Sequence, residues 1–175
     1  MNITIISGTN RENSFTNKIS VYYKSQLEEK GYKVQLFSLT NLPHTFAFSE
    51  LYGKRSSEFE EAIKKYIETA DAFIFVTPEY NGSLPGIVKL FIDSVPPSKW
   101  NDKSVCLTGV SIGRAGNIRG MEHLGSILQY LKMHVYHNKL PISQIDKIYA
   151  GQNNLVHEET VKNIEKQLEG FLKFA

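Results

Sequence analysis

The sequence predicts a doubly wound α/β domain, in which a five-stranded parallel sheet of order 2-1-3-4-5 carries helices on both faces. Three observations support this fold class: a length of 175 residues, 41% hydrophobic residues, and short apolar runs that alternate with amphipathic stretches. That length is typical of one domain, so we expect residues 1–175 to form a single unit. Parallel neighbours need crossover connections, which helices supply. Five strands suit the order 2-1-3-4-5 better than a six-stranded dinucleotide-binding sheet.

Each predicted strand is followed by a predicted helix. Apolar runs bounded by turn residues predict strands over 3–7, 34–39, 72–77, 104–110 and 133–137. Amphipathic stripes predict helices over 15–27, 59–70, 87–95, 118–131 and 158–174. Gly31 stands where a helix C-terminal cap belongs, and Ser57 with Glu60 resembles a capping box. This alternation is what a parallel sheet requires.

Charge and composition exclude several classes of function. Twenty basic and eighteen acidic residues give a net charge of +2, and they are interspersed, so we expect no nucleic-acid partner. The chain starts without a secretory signal, and no apolar stretch approaches the roughly 20 residues of a membrane span. We therefore expect a cytoplasmic protein without a membrane segment. Cys106 is the single cysteine and is expected in the core, and the scattered histidines predict no metal site.

Small and polar residues are concentrated after the first, third and fourth predicted strands. The loops at the carboxyl ends of parallel strands share one edge, and ligands bind where the strand order reverses. After the first strand, the hydroxyls of Thr9, Ser14 and Thr16 precede or open a helix, beside the guanidinium of Arg11. With the amides of a helix N-terminus they form a candidate phosphate site, although a polar helix cap beside a solvated arginine explains them too. The Walker spacing is absent, which disfavours an NTPase.

The other two loops favour a planar ligand. Residues 77–86 read TPEYNGSLPG, in which proline and glycine fix the turn and let backbone amides approach a flat ring. Ordinary turn chemistry explains these residues, but it leaves the run from Glu79 to Asn81 unexplained. Residues 111–116, SIGRAG, are again small and polar at the same edge.

The three loops resemble those of the NADPH-dependent FMN reductase family of flavodoxin-like proteins. That family's loops have approximately the patterns G-S-x-R-x-x-S-x-N, P-E-Y-N-G-S-x-P-G and S-x-G-x-x-G-G. The second and most specific pattern is matched throughout residues 78–86, and the resemblance extends from residue 3 to about residue 137. Matches to the other two patterns are Gly8, Thr9, Arg11, Ser14, Ser111, Gly113 and Gly116. Thr16 replaces an asparagine, and Asn117 replaces the last glycine and is expected to crowd the flavin edge.

The resemblance implies an enzyme that uses FMN as cofactor and NAD(P)H as co-substrate. Hydride passes to the flavin, and two electrons then pass to a small acceptor such as a quinone, an azo compound or free flavin. No catalytic side chain is assigned, since the cofactor carries the chemistry. The residues that the resemblance assigns to FMN binding are Thr9, Arg11, Ser14, Phe15, Thr16, Pro78, Glu79, Tyr80, Asn81, Ser111, Gly113 and Gly116.

Two other classes of protein compete for the same residues. Residues 109–113 read G-V-S-I-G between a predicted strand and helix, and Asp146 and His157 follow Ser111 in the order of an α/β-hydrolase triad. The short chain and the lack of an oxyanion segment count against a hydrolase. A flavodoxin-like electron carrier or flavin sensor is the second alternative. Arg11 and the net charge of +2 favour the reductase instead.

Apolar residues outside the predicted elements suggest a subunit contact. The segment 43–55 carries Phe46, Phe48, Leu51 and Tyr52, which either pack on the core or form a lid or an interface. Together with the apolar helix 87–95, they lead us to expect a homodimer, with a tetramer as the alternative, whose partner helps to cover the flavin. Arg114 and Arg119 are candidates for contact with a 2′-phosphate, and Trp100 is expected to lie at the surface.

Overall fold

One parallel sheet runs through the computed structural model, which describes residues 1–52, 54–149, 155 and 157–175. Within these residues its strands are β1 (Asn2–Ser7), β2 (Lys33–Ser38), β3 (Ala72–Pro78), β4 (Ser104–Val110), β5 (His134–Val135) and β6 (Leu140–Ile142). The order is β2-β1-β3-β4-β5, with β6 also paired to β4. The predicted fold class and strand order are thus confirmed.

Helices cover both faces of the sheet. They are α1 (Phe15–Glu29), α2 (Phe46–Ser49), α3 (Ser57–Ala62), α4 (Gly86–Ser94), α5 (Ile118–Tyr130), α6 (Ile145–Ile148) and α7 (Glu158–Phe174). The helix α3 continues as a π-helical segment, Ile63–Glu68. Apolar side chains of α1 and α7 pack on one face, and those of α3, α4 and α5 pack on the other. No helix in the described part of the chain is long and apolar enough to cross a membrane.

The fifth position of the sheet differs from the predicted strand 133–137. Two short strands share it: β5 pairs with the start of β4 at Ser104 and Val105, and β6 pairs with its end from Thr108 to Val110. Pro141 within β6 has no N–H to donate, which an edge strand tolerates. The prediction of one continuous strand was therefore wrong, because the chain leaves the edge between the two pairings.

The core between the sheet and α3, α4 and α5 contains a cluster of aromatic side chains among aliphatic ones. Trp100 is fully buried, and its ring centroid lies 5.3 Å from that of Phe73 and 6.1 Å from that of Phe91. The expectation of a surface tryptophan was wrong, because the turn Pro97–Lys99 directs this large apolar ring back under the sheet. Cys106 is buried as expected, and burial raises the pKa of its thiol.

The opposite face combines apolar packing with a buried polar network. The apolar stripe that predicts α1 faces the core, since Ile19, Tyr23 and Leu27 are buried and Phe15 is half-buried. The hydroxyl of Tyr23 lies 2.9 Å from Thr108 Oγ1 and 2.5 Å from Gln167 Oε1. Burial raises the pKa of Tyr23 well above its ordinary value, so the hydroxyl stays protonated. The network therefore joins α1, β4 and α7 through neutral groups.

The segment 43–55 divides its apolar residues between the core and the surface. Phe46 packs against Phe59 with 5.3 Å between ring centroids, and Leu51 is also buried. Phe48 and Tyr52 remain 91% and 94% exposed. The cap of the next helix lies one residue earlier than predicted: Ser56, with an extended ψ of 158°, accepts the cap hydrogen bond from the amide of Phe59, whereas Ser57 is already helical. Two aromatic rings of this segment are thus exposed, while Phe46 and Leu51 attach it to the core.

Candidate cofactor-binding site

Three loops meet at the carboxyl edge of the sheet, at the ends of β1, β3 and β4. We call them the first loop (8–14), the second loop (79–85) and the third loop (111–117). The amide of Gly8 donates to the carbonyl of Val76 at 2.8 Å, and the amide of Glu79 donates to the carbonyl of Val110 at 3.1 Å. These hydrogen bonds continue the strand pairing into the loops, so the loops leave the sheet side by side.

The first loop is closely packed at its base and open at its tip. A Cβ atom on Gly8 would lie 2.6 Å from the Thr77 methyl carbon, so a side chain cannot be placed there without movement. Thr9 is fully buried, and its Oγ1 accepts a hydrogen bond from the amide of Arg11 at 3.1 Å. Arg11 itself is exposed. The guanidinium is therefore free to meet a ligand above the loop.

The helix α1 begins directly after this loop and presents unpaired donors. Ser14 caps it by accepting a hydrogen bond from the amide of Asn17 at 3.1 Å. The amides of residues 12–16 have no acceptor within the described residues. Amides at a helix N-terminus carry partial positive charge and bind anions. The site therefore offers a row of amides, the Ser14 hydroxyl and the Arg11 guanidinium to an anion.

The second loop is a tight hairpin turn. Tyr80 and Ser83 exchange two backbone hydrogen bonds of 3.0 and 3.1 Å across Asn81 and Gly82. Asn81 has a φ of 51° and Gly82 a φ of 75°, the left-handed region that asparagine and glycine tolerate best. The hydroxyl of Ser83 lies 2.8 Å from Nδ1 of His123 on α5. These contacts fix the turn on the sheet edge.

The third loop is connected to the second through a serine. Ser111 Oγ donates to Glu79 Oε2 at 2.9 Å and accepts from the amide of Gly113 at 3.0 Å. Gly116 has a φ of 57° and lies close to Pro141, where a Cβ atom would approach within 2.7 Å. Residues 112–115 are exposed, so the outer surface of this loop is available to a ligand.

Asn117 does not lie where the sequence suggested. It is fully buried with a φ of 66°, and its Nδ2 donates to the carbonyls of Thr77 and Pro78 at 3.0 and 2.9 Å. The expectation that it crowds the flavin edge was wrong, because the side chain points into the protein. An asparagine between a glycine and a helix start is a sequence signal for such a left-handed residue. Its amide thus holds the end of β3 against the start of α5.

The structure brings all twelve predicted site residues to this edge. Thr16 is buried in the first turn of α1, and Phe15 is half-buried against Tyr149, with 5.5 Å between ring centroids. The residues that lie in or directly beside the three loops are Thr9, Arg11, Ser14, Phe15, Thr16, Pro78, Glu79, Tyr80, Asn81, Ser111, Gly113 and Gly116. Sequence reasoning did not find the side-chain hydrogen bonds that connect these loops.

The alternative of a hydrolase triad has no support in these contacts. The hydroxyl of Ser111 bonds to Glu79, whereas Nδ1 of His157 bonds to Thr160 Oγ1 at 2.9 Å and caps α7. Asp146 lies in the short helix α6. Within the described ranges, no group of three histidine, cysteine or acidic side chains is arranged to hold a metal ion. The geometry therefore favours anion and ring binding over nucleophilic catalysis.

Fold and edge together define a flavodoxin-like protein whose loops can hold a phosphate and a planar ring. The family model of NADPH-dependent FMN reductases matches residues 1–147, and the chain belongs to this family. FMN is therefore its cofactor and NAD(P)H its co-substrate.

Individual relatives agree with this assignment. The chain is 29% identical to an NAD(P)H-dependent FMN reductase of Pseudomonas aeruginosa over 168 residues, 94% of this chain and 89% of the relative. It is also 29% identical to a 2-hydroxy-1,4-benzoquinone reductase of a Burkholderia species over 177 residues, with 94% and 91% covered. The fold matches that of the flavoenzyme NAD(P)H:(acceptor) oxidoreductase of Paracoccus denitrificans with a TM-score of 0.78 at 24% identity, covering 98% of this chain and 95% of that one.

Proposed function

We propose that this protein binds FMN across the three loops and passes two electrons from NAD(P)H to a small planar acceptor. The observation that supports this most directly is the row of amides at residues 12–16 without acceptors within the described residues, beside the exposed Arg11. This row lies at the edge of the sheet where the strand order reverses, next to a turn built to face a flat ring.

The phosphate of FMN fits the first loop. We assign its contacts to the Arg11 guanidinium, the Ser14 hydroxyl and the amides of residues 12–16. Arginine suits this role because its planar guanidinium donates two parallel hydrogen bonds to a phosphate. Thr9 and Thr16 are buried, so they shape the loop from below, and Phe15 supports it from the side.

The isoalloxazine ring is assigned to the second and third loops. Pro78 to Asn81 would supply one wall and Ser111 to Gly116 the other, through backbone groups that glycines leave accessible. When bound, FMN would accept the hydride and pass on the two electrons. The protein's contribution is to bind and orient the ring, so no side chain is assigned as a general acid or base.

Quinones are the acceptor class best supported by the comparisons. One relative is named a benzoquinone reductase, and a quinone is flat enough to stack on an open flavin edge. Azo compounds and free flavin share this planar shape and stay within the proposal. We also propose a cytoplasmic location, where nicotinamide cofactors are available and where a free thiol such as Cys106 remains reduced.

We further propose that the protein works as a homodimer, with a tetramer as the alternative. Phe48 and Tyr52 are almost fully exposed, and an apolar groove of about 430 Å³ lies between α4 and α5 beside the exposed Tyr130. Exposed apolar surface of this kind is usually buried by a partner. Light scattering would decide the point: a fully active species at the 19.9 kDa chain mass would overturn the homodimer.

An anaerobic titration tests the proposed function itself. The FMN-loaded protein should be yellow and should lose its visible flavin absorbance on addition of about one equivalent of NADPH or NADH. A quinone added afterwards should restore the absorbance. A protein that stays colourless and does not quench FMN fluorescence at micromolar concentration would remove the proposal.

A further inference from the structure

Two neighbouring side chains in the second loop reach in opposite directions to the two outer loops. The hydroxyl of Tyr80 shares a hydrogen bond of 2.7 Å with Thr9 Oγ1 in the first loop. The carboxylate of Glu79 accepts a hydrogen bond of 2.9 Å from Ser111 Oγ in the third loop. One dipeptide therefore connects both parts of the proposed flavin site.

The contact made by Tyr80 continues toward the phosphate end of the site. Thr9 is fully buried, and the same Oγ1 that bonds to Tyr80 accepts the amide of Arg11 at 3.1 Å. Arg11 directly precedes the row of open amides at residues 12–16. Because the rotamer of Thr9 orients the Arg11 amide, the Tyr80 hydroxyl determines how the start of that row is held.

The contact made by Glu79 continues into the third loop in a similar way. Ser111 Oγ donates to Glu79, so its lone pairs are left facing the amide of Gly113, which donates to it at 3.0 Å. Gly113 cannot help with a side chain of its own. Removal of the carboxylate would let the Ser111 hydroxyl rotate and would leave the amide of Gly113 without a fixed acceptor, although backbone hydrogen bonds still join this loop to residues 142–145.

The second loop is itself held by contacts that do not involve the side chains of Glu79 and Tyr80. Tyr80 and Ser83 are paired through two backbone hydrogen bonds, and Ser83 bonds to His123 on α5. Asn117 holds the end of β3 through the carbonyls of Thr77 and Pro78. The backbone of the second loop is therefore held in place while the side chains of Glu79 and Tyr80 contact the other two loops.

We propose that Glu79 and Tyr80 are positioning residues whose side chains set the first and third loops at the spacing that FMN needs. The proposal rests on the proposed flavin site and assigns a separate role to each of the two residues. Tyr80 serves the phosphate end through Thr9, and Glu79 serves the ring end through Ser111. Preorganised loops bind more tightly because less order must be imposed on binding.

FMN and riboflavin separate the two roles, since riboflavin lacks the phosphate. Tyr80→Phe keeps the ring and removes the hydroxyl, so the Kd for FMN should rise about three- to tenfold while that for riboflavin changes less than about twofold. Glu79→Ala should raise both constants by the same factor, and Glu79→Gln, which keeps an acceptor oxygen, should restore them. Fluorescence quenching gives the constants, and thermal unfolding checks that each variant is folded.

Matched controls and a second variant keep the test decisive. Tyr22→Phe on α1 and Glu61→Ala on α3 lose the same groups away from the edge and should bind both flavins like the wild type. Thr9→Val removes the Tyr80 contact from its other end, and the double variant Thr9→Val/Tyr80→Phe should bind FMN no more weakly than Thr9→Val alone. If Tyr80→Phe is unstable, Thr9→Val alone tests the same contact.

The outcomes distinguish failure of the inference from failure of the proposed function. A wild type that binds neither flavin would remove both. A wild type that binds FMN, with Tyr80→Phe weakening FMN and riboflavin equally or not at all, would overturn the positioning role of Tyr80. If Glu79→Gln does not restore the flavin affinity that Glu79→Ala loses, the positioning role of Glu79 would be overturned.

Discussion

Polar groups are paired within the protein at the amino ends of the strands, the amino edge, whereas several are left without partners among the described residues at the carboxyl ends, the carboxyl edge. At the amino edge, Lys103 Nζ donates to the carbonyls of Ile67 and Glu68 at 2.5 and 3.3 Å, and the amide of Asn2 donates to Asp71 at 2.7 Å. At the carboxyl edge, Arg11 is exposed and the amides of residues 12–16 lack acceptors within the described residues. Polar groups that are satisfied internally stabilise the fold, and donors left open are available to a ligand.

Side-chain hydrogen bonds nevertheless tie the backbone of the open edge to neighbouring elements. Ser14 caps α1, and Thr9 and Ser111 connect neighbouring loops. A site with free donors on a fixed backbone can bind an anion without rearrangement. The comparison therefore predicts that substitutions at the amino edge change stability and that those at the carboxyl edge change flavin binding.

The largest expected effect belongs to Trp100, which packs under the amino half of β3. Trp100→Ala should lower the free energy of unfolding by about 3–5 kcal/mol, because it leaves a cavity among Phe73, Phe75 and Phe91. Urea denaturation measures this loss, and Trp100→Phe should recover part of it. FMN affinity of the folded fraction should stay at the wild-type value. A variant with unchanged stability and weakened FMN would contradict the comparison.

Arg11 should give the largest effect on binding at the carboxyl edge. A charge-assisted hydrogen bond to phosphate contributes about 1.5–3 kcal/mol, so Arg11→Ala should weaken FMN about ten- to a hundredfold. Riboflavin should bind the variant and the wild type alike, and the urea midpoint should not move. Equal losses for both flavins would place Arg11 away from the phosphate.

Lys103 should give a smaller effect, and one that depends on pH. Lys103→Met removes the donor to the Ile67 and Glu68 carbonyls and should cost about 1 kcal/mol of stability without changing FMN affinity. Burial, the largest cause, lowers the pKa of Lys103 in the folded protein below its ordinary value of 10.5. Between these two pKa values the unfolded chain binds more protons, so wild-type stability should rise with pH relative to the variant. Denaturation at a series of pH values up to about 10.5 measures this, and a difference that falls over that range would show the sign to be wrong.

The smallest effect is expected on the outer surface of α7, far from both edges. Lys162 and Glu158 form an ion pair of 2.6 Å, and both side chains are largely exposed. Exposed pairs of this kind contribute only about 0.3–0.5 kcal/mol, which salt screens. Lys162→Ala should therefore shift neither the urea midpoint nor FMN affinity beyond the error of the measurement.

The parts of the fold with strong local signals could be predicted from the sequence. The strand over 104–110 and the helix over 158–174 have the predicted bounds, because an apolar run and an amphipathic stripe define each one without reference to the rest of the chain. The position of Trp100 could not be predicted in this way. Its burial depends on a turn that folds it against β3, and no local pattern records that contact.

The candidate site likewise has a part that local sequence patterns predict and a part that they do not. Loop composition and the motif in the second loop place the residues at one edge, and the structure agrees with that placement. The hydrogen bonds between loops join residues far apart in the chain, 71 positions for Thr9 and Tyr80 and 32 for Glu79 and Ser111. Such contacts depend on strand register, so the sequence identified the residues but not their partners.

Hydrogen exchange with and without FMN tests most directly whether the open edge is the FMN site. FMN should slow exchange of the amides of residues 12–16 and of the second and third loops. Riboflavin should protect the second and third loops only. Amides around Trp100 and Lys103 should exchange at the same rate in all three samples. Protection of residues 12–16 by riboflavin as strong as that by FMN, or FMN protection confined to the amino edge, would contradict the account.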